Sequence, residues 1–243
     1  MRFLGFFALL SAAALSPTVQ AQSQGAGYIF VVPGATSAAS RFQAFPYAAT
    51  PLTPSVDRSG PQGVGRVIAK ADGSKFYFIG SGASGIQSLD STFTTFSSVN
   101  GLPAAASAVA ITPDGRYLLI GSSDLYVVDT VSNAILGTGL GLSGTVQSIA
   151  VSADSTTAYV LNNLPATSSI VAINLATRSR VGNPLALPFG GATALAISPT
   201  GLLYVSAQNA VYEIDPATMQ ITTNGTIALN FTPGQLRFVP DGT

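Results

Sequence analysis

The chain has 243 residues, 47% of them apolar and 8% charged, with ten basic and ten acidic side chains in balance. Such a chain carries no broad field to attract nucleic acid or an anionic membrane, and it is too apolar to remain disordered. It contains neither cysteine nor histidine, which excludes disulfides, imidazole-bound zinc and Ser-His-Asp hydrolysis.

The first 21 residues read as a signal peptide. Arg2 gives a positive start, Phe3 to Leu15 is a short apolar run, and Val19-Gln20-Ala21 supplies a small-x-small cleavage pattern. The sequence therefore predicts export, with cleavage after Ala21 and residues 22–243 forming one repeat domain. No later segment reaches the ~18 uninterrupted apolar residues of a membrane helix, so no transmembrane segment is expected after cleavage.

Beyond the leader, Gly27 to Gly34 and Ser40 to Phe45 read as two strands. Residues 46–62, rich in Pro, Thr, Ser and Gly, predict an irregular loop or a weak further strand.

A repeat then begins. Arg66 to Gly73, Ala108 to Gly115, Ser148 to Ser155, Ala194 to Gly201 and Gln235 to Gly242 each join a short apolar run to a tight turn, most clearly Pro113-Asp114-Gly115. Proline presets φ, the acidic side chain caps the turn, and glycine takes positive φ. The period is about 40 residues, the mark of propeller blades or another repeat array.

The second run of each unit is its most apolar, as in Phe76-Tyr77-Phe78-Ile79 and Tyr117-Leu118-Leu119-Ile120. That suits a central strand packed on both faces. A third run closes on Asp90, Asp129, Asn174 or Asp215, and a fourth follows, as in Ala134-Ile135-Leu136 or Gln220-Ile221. The closing Asp and Asn residues are expected to cap turns rather than to gather as ligands.

The predicted fold is all-β: a β-propeller of four-stranded blades, about four complete and two partial. Two endings fit. Leu236 to Gly242 can supply a first strand to the N-terminal strands and close a five-bladed ring, or the chain is a piece of a larger propeller, truncated at its C-terminus. The Pro240-Asp241-Gly242 turn favours the second, because every other unit runs on from there into its most apolar strand.

Ala158-Tyr159-Val160-Leu161-Asn162, followed by Ile170 to Asn174 and Thr177, resembles the repeat of the YVTN-family β-propellers. Ile111 to Thr130 and Ile197 to Thr218 are similar to the same pattern, and the resemblance spans residues 63–243. Ser155 in place of glycine, Thr200 in place of aspartate and the missing Tyr-Val-Thr-Asn tetrad depart from it. The resemblance implies an exported or cell-surface repeat protein and leaves activity open, since one fold hosts many functions.

Two functions follow. The first is a non-catalytic interaction or scaffold module that meets a protein or cell-envelope partner, secreted, periplasmic or on a bacterial cell surface. The alternative is a propeller hydrolase of lactonase type, with Asp90, Asp129, Glu213 and Asp215 as polar groups and Arg66, Arg116 or Arg237 as electrophilic partners. Glu213 is the chain's one glutamate, and no pair among these has motif spacing. No catalytic, metal or cofactor-binding residues are therefore assigned. Acidic residues are spread singly rather than clustered for calcium. Gly137 to Gly141 opens no helix and so is no phosphate loop. The sequons at Asn224 and Asn230 read as turn residues.

Overall fold

The computed structural model describes residues 28–31, 41–46, 56–60, 63–80, 85–102 and 105–238. The leader with its cleavage site, most of the 46–62 stretch and the Pro240-Asp241-Gly242 turn lie outside the described residues. The described residues form strands and connecting turns, with no helix, so no helix among them could cross a membrane.

Five antiparallel sheets follow one another along the chain, each a simple meander. The first has β1 (Tyr28–Val31), β2 (Arg41–Pro46) and β3 (Val56–Ser59). The second has β4 (Val64–Ala69), β5 (Lys75–Gly80), β6 (Ile86–Asp90) and β7 (Phe96–Val99). The third has β8 (Ala108–Ile111), β9 (Tyr117–Gly121) and β10 (Leu125–Asp129). The fourth has β11 (Thr145–Val151), β12 (Thr157–Asn163), β13 (Ser168–Asn174) and β14 (Ser179–Ala186). The fifth has β15 (Ala192–Ile197), β16 (Leu203–Ala207), β17 (Ala210–Asp215) and β18 (Gln220–Ala228).

The second strands are apolar because alternate side chains enter different cores. Phe76 and Phe78 of β5 pack with Phe42 and Ala44 of the first sheet, whereas Tyr77 and Ile79 pack with Leu118 and Ile120 of the third. Likewise Ala158 and Val160 face the third sheet, while Leu161 packs with Leu203 and Val205 of the fifth. The second, third and fourth sheets are thus covered on both sides, and the cores run from sheet to sheet.

The first strands adjoin in sequence, β4 with β8, β8 with β11 and β11 with β15. This is the inner ring of a propeller-like arrangement. Side chains stitch it: Ser107 Oγ donates to Val146 O at 2.6 Å, and Leu195 N donates to Ser148 Oγ at 3.2 Å. Register shifts between Val64 and Arg66, Val146 and Ser148, and Ala192 and Ala194 recur at one level of β4, β11 and β15. A bulge there lets the strand bend as it enters the ring.

Two expectations are corrected. The fourth strand expected over Ala134 to Leu136 is reduced to a single bridge between Val128 and Ile135. The chain bonds β10 through Leu136 N to Val127 O at 2.8 Å, then arches away over Gly137–Gly139 before Leu140 N reaches Leu125 O at 3.2 Å. Second, Leu236 to Phe238 forms no strand, and among the described residues β1 pairs with β2 alone. Pro233 supplies no N–H for a ladder. Its carbonyl instead accepts from Thr193 Oγ1 at 2.7 Å, and Phe238 meets the Tyr204 ring edge-on at 5.1 Å. Residues 233–238 thus pack on the fifth sheet, and the rest of the Leu236 to Gly242 run lies outside the described residues.

Candidate functional site

The acidic columns resolve into turn caps. Asp129 Oδ1 accepts from Val131 N at 3.1 Å and from Ser132 N and Oγ, both at 2.8 Å. Asp90 accepts from Thr92 N, Asn174 from Thr177 N and Asp215 from Ala217 N. Asp72, Asp114 and Asp154 serve the first turns in the same way, each taking a backbone N–H two residues on. At its turn Ser155 replaces glycine, adopts φ of 62° and accepts from Asp114 N of the neighbouring sheet at 3.0 Å. The departure from the repeat is therefore a tie between blades.

These bonds hold several carboxyls below the ordinary range. The causes are the Ser74 hydroxyl for Asp72, the Thr92 hydroxyl for Asp90, the Ser132 N–H for Asp129 and the Ser152 hydroxyl for Asp154. Each binds its proton less readily folded than unfolded, so its stabilisation is complete above the ordinary carboxylate range and is lost as pH falls below about 4. With no histidine, stability is expected to be flat from about pH 5 to 8 and to decline below about 4. Asp129→Ala is expected to cost about 0.5–1.5 kcal/mol at neutral pH and to shrink that decline. Urea denaturation at pH 7 and pH 3 checks both; equal stability of variant and wild type at pH 7 removes the capping role.

Among the hydrolase candidates Arg66 and Arg237 approach each other and Glu213 and Asp215 share β17, but no candidate carboxylate is bonded to a candidate arginine among the described residues. Glu213 lies between Tyr204 and Thr222 on one face of the fifth sheet, accepting from the Tyr204 hydroxyl and, at 2.8 Å, from Thr222 Oγ1. Those two hydroxyls lower its pKa, Tyr204 foremost, by bonding to its ionised form. Arg66 is half-buried on β4, its pKa lowered by burial and then by the like charge of Arg237. Arg116 is exposed and lies 5.3 Å from the Tyr117 ring. Among the described residues no three acidic side chains gather as metal ligands.

Polar groups do converge at the seam between the second and third sheets. The Lys75 ammonium donates to Thr130 O. The Tyr77 hydroxyl donates to Asn133 Oδ1 at 3.2 Å, and Asn133 Nδ2 donates to Ser88 Oγ at 2.7 Å. Burial lowers the Lys75 pKa and raises that of Tyr77. The network fixes Asn133, whose backbone takes φ of 57°.

Outside this lock, where the third sheet lacks a full outer strand, a groove of about 700 Å³ opens between the sheets. Ser98 and Asn100 form one wall, Tyr126 and Asn133 the floor, and the Gly137–Gly139 arch the other wall. Asp124, which the sequence gives no reason to single out, anchors that arch. Its carboxylate accepts from Leu125 N at 2.7 Å and from Gly141 N and Leu142 N, both at 2.9 Å. A Cβ on Gly139 would come within 2.8 Å of Asp124 Cγ, so only glycine passes there. The groove is a candidate site, and the residues described along it carry no carboxylate, ammonium or guanidinium.

No family model and no curated protein matches the chain. Among solved structures it is similar to hydrazine synthase of Kuenenia stuttgartiensis, a β-propeller-containing protein, with 23% identity and a TM-score of 0.62. The match covers 76% of this chain and 55% of that one, so the chain spans little more than half of its neighbour's length. At that identity the likeness is one of fold, and with the stacked antiparallel sheets it makes the chain β-propeller-like.

Proposed function

We propose that the chain is an exported, non-catalytic interaction module of the YVTN-repeat type that meets its partner at the groove between the second and third sheets. One observation carries the reading. The carboxylates of Asp129, Glu213 and Asp124 are bonded within turns or across strands, while the groove presents the exposed polar side chains of Ser98 and Asn100 on an anchored frame. The Arg2 to Ala21 leader pattern supports export, and the near absence of charge suits an envelope surface on which steering plays little part.

The test joins capture to catalysis. The full chain, immobilised, is expected to retain a component of a bacterial envelope extract that Tyr126→Ala does not retain. It is also expected to show no turnover of lactones or esters, with or without calcium. Reproducible hydrolysis, abolished by Glu213→Gln, would establish the lactonase-type alternative instead.

A further inference from the structure

We infer that the groove takes a neutral saccharide, of di- or trisaccharide size. This rests on the reading of the groove as the binding site and adds the chemistry of its ligand.

Charge decides the first step. A carboxylate, phosphate or ammonium entering the groove would shed hydration and meet no counter-charge, which is costly. A purely apolar ligand would cover the exposed Ser98 hydroxyl and Asn100 amide without offering either a partner, also a penalty. An uncharged molecule with many hydroxyls avoids both. The half-buried Tyr126 adds a flat aromatic surface on which the apolar face of a pyranose can rest. The volume falls within the ~300–1,000 Å³ that encloses ligands of a few rings.

The backbone decides the second step. An extended peptide would bind such a place by adding a strand to β10. That edge is already bonded by the chain's own return: Asp129 N to Ala134 O at 2.9 Å, Leu136 N to Val127 O at 2.8 Å and Leu140 N to Leu125 O at 3.2 Å. No ladder is left on β10 for a peptide to complete, so strand addition at that edge is disfavoured. The arch, by contrast, brings Gly137 and Gly139 to the wall without side chains, so a ligand can approach their peptide groups closely.

The groove is also set before a ligand arrives. Asp124 fixes the end of the arch through two N–H bonds, from Gly141 and Leu142, and Asn133 is held by Tyr77 and Ser88. Asn133 thus acts as a fixed floor, its amide already committed. Reading of hydroxyls falls to Ser98, Asn100 and Thr138. A preformed site loses less on binding than one that must order its loops.

The experiment screens the full chain on an array of neutral and anionic glycans, then titrates the best neutral disaccharide by calorimetry. At least one neutral glycan is expected to bind saturably, while uronate-containing and sialylated glycans do not. Tyr126→Ala is expected to weaken binding about tenfold or more, the worth of one aromatic platform. Thr138→Trp, at an exposed position, fills the groove without touching the core and is expected to abolish binding with an unchanged melting temperature. It keeps the test decisive where Tyr126→Ala fails to fold. Failure of every neutral glycan to bind, equal binding of anionic ones, or binding that survives Thr138→Trp overturns the saccharide assignment. If the envelope component is still captured and Thr138→Trp releases it, the interaction module stands with a protein as its occupant. If capture fails as well, both readings fall together.

Discussion

Phe78→Ala is expected to destabilise the protein by about 3–5 kcal/mol, the usual cost of truncating a buried aromatic ring. It is also expected to loosen the first sheet before the others. Phe78 is fully buried, with its ring 5.2 Å from that of Phe42 and 5.4 Å from that of Phe96. Phe42 and Phe96 meet edge-on at 5.7 Å, so the three rings form a closed triangle. Phe42 comes from β2, Phe78 from β5 and Phe96 from β7. The triangle therefore ties the three-stranded first sheet to the second.

Among the described residues the first sheet's core contacts, from Phe42, Ala44 and Val56, are those it makes with the second. The strands of the first sheet span four, six and four residues, too little for independent stability in water. Removing Phe78 opens a cavity beneath Phe42 and withdraws the surface on which β2 rests. Urea denaturation reads the global cost. Hydrogen exchange reads the local one, as faster exchange over residues 41–59 than in β12 and β13. A loss below ~1 kcal/mol with unchanged exchange in that segment would show that other contacts hold the first sheet.

How far the molecule could be read from its sequence depended on the range of the interaction concerned. Turn chemistry was legible because Asp129 finds Val131 and Ser132 two and three residues away. The apolar central strands were legible because burial on both faces leaves no polar alternation in Phe76 to Ile79. The 46–62 stretch was half-legible: β3 forms over Val56–Ser59 despite its polar composition, because β2 offers an edge to pair with.

The candidate site was not legible, since its parts are distant in sequence and ordinary in type. Asp124 reaches Gly141 and Leu142 across seventeen and eighteen residues, and no local motif announces such a bond. Asn133 is a turn residue in composition, yet it is held by Ser88 and Tyr77 of another sheet. The groove itself results from an absence: Ala134 to Leu136 has a strand's composition, but Gly137 and Gly139 divert the chain after one bridge. The Gly137 to Gly141 run has the glycine content of a phosphate loop but opens no helix. Its consequence is a wall that another strand would have covered.

Gly144→Val is expected to cost about 2–5 kcal/mol, combining backbone strain with overpacking against rigid neighbours. Gly144 takes φ of +106°, a conformation closed to β-branched residues. A Cβ there would also collide with the carbonyl oxygen of Asn163 and come within 3.1 Å of Leu164 Cδ2. Asn163 cannot withdraw freely: its amide donates to Ala192 O at 2.9 Å, and its Oδ1 accepts from Ser168 Oγ at 2.6 Å. The strain therefore passes into the start of β11. Two residues on, Val146 N donates to Ser122 O at 2.8 Å and Val146 O accepts from Ser107 Oγ at 2.6 Å. Those bonds join the third sheet to the fourth at the inner ring, so the seam between these sheets should open first. Gly144→Ala carries the same positive-φ strain and the same Cβ collision with Asn163 O but lacks valine's branched methyls, so a loss somewhat smaller than that of valine is expected. Chemical denaturation of both variants, with hydrogen exchange at Val146, measures the outcome; a valine variant as stable as wild type would mean that the positive φ at Gly144 is not required by the fold.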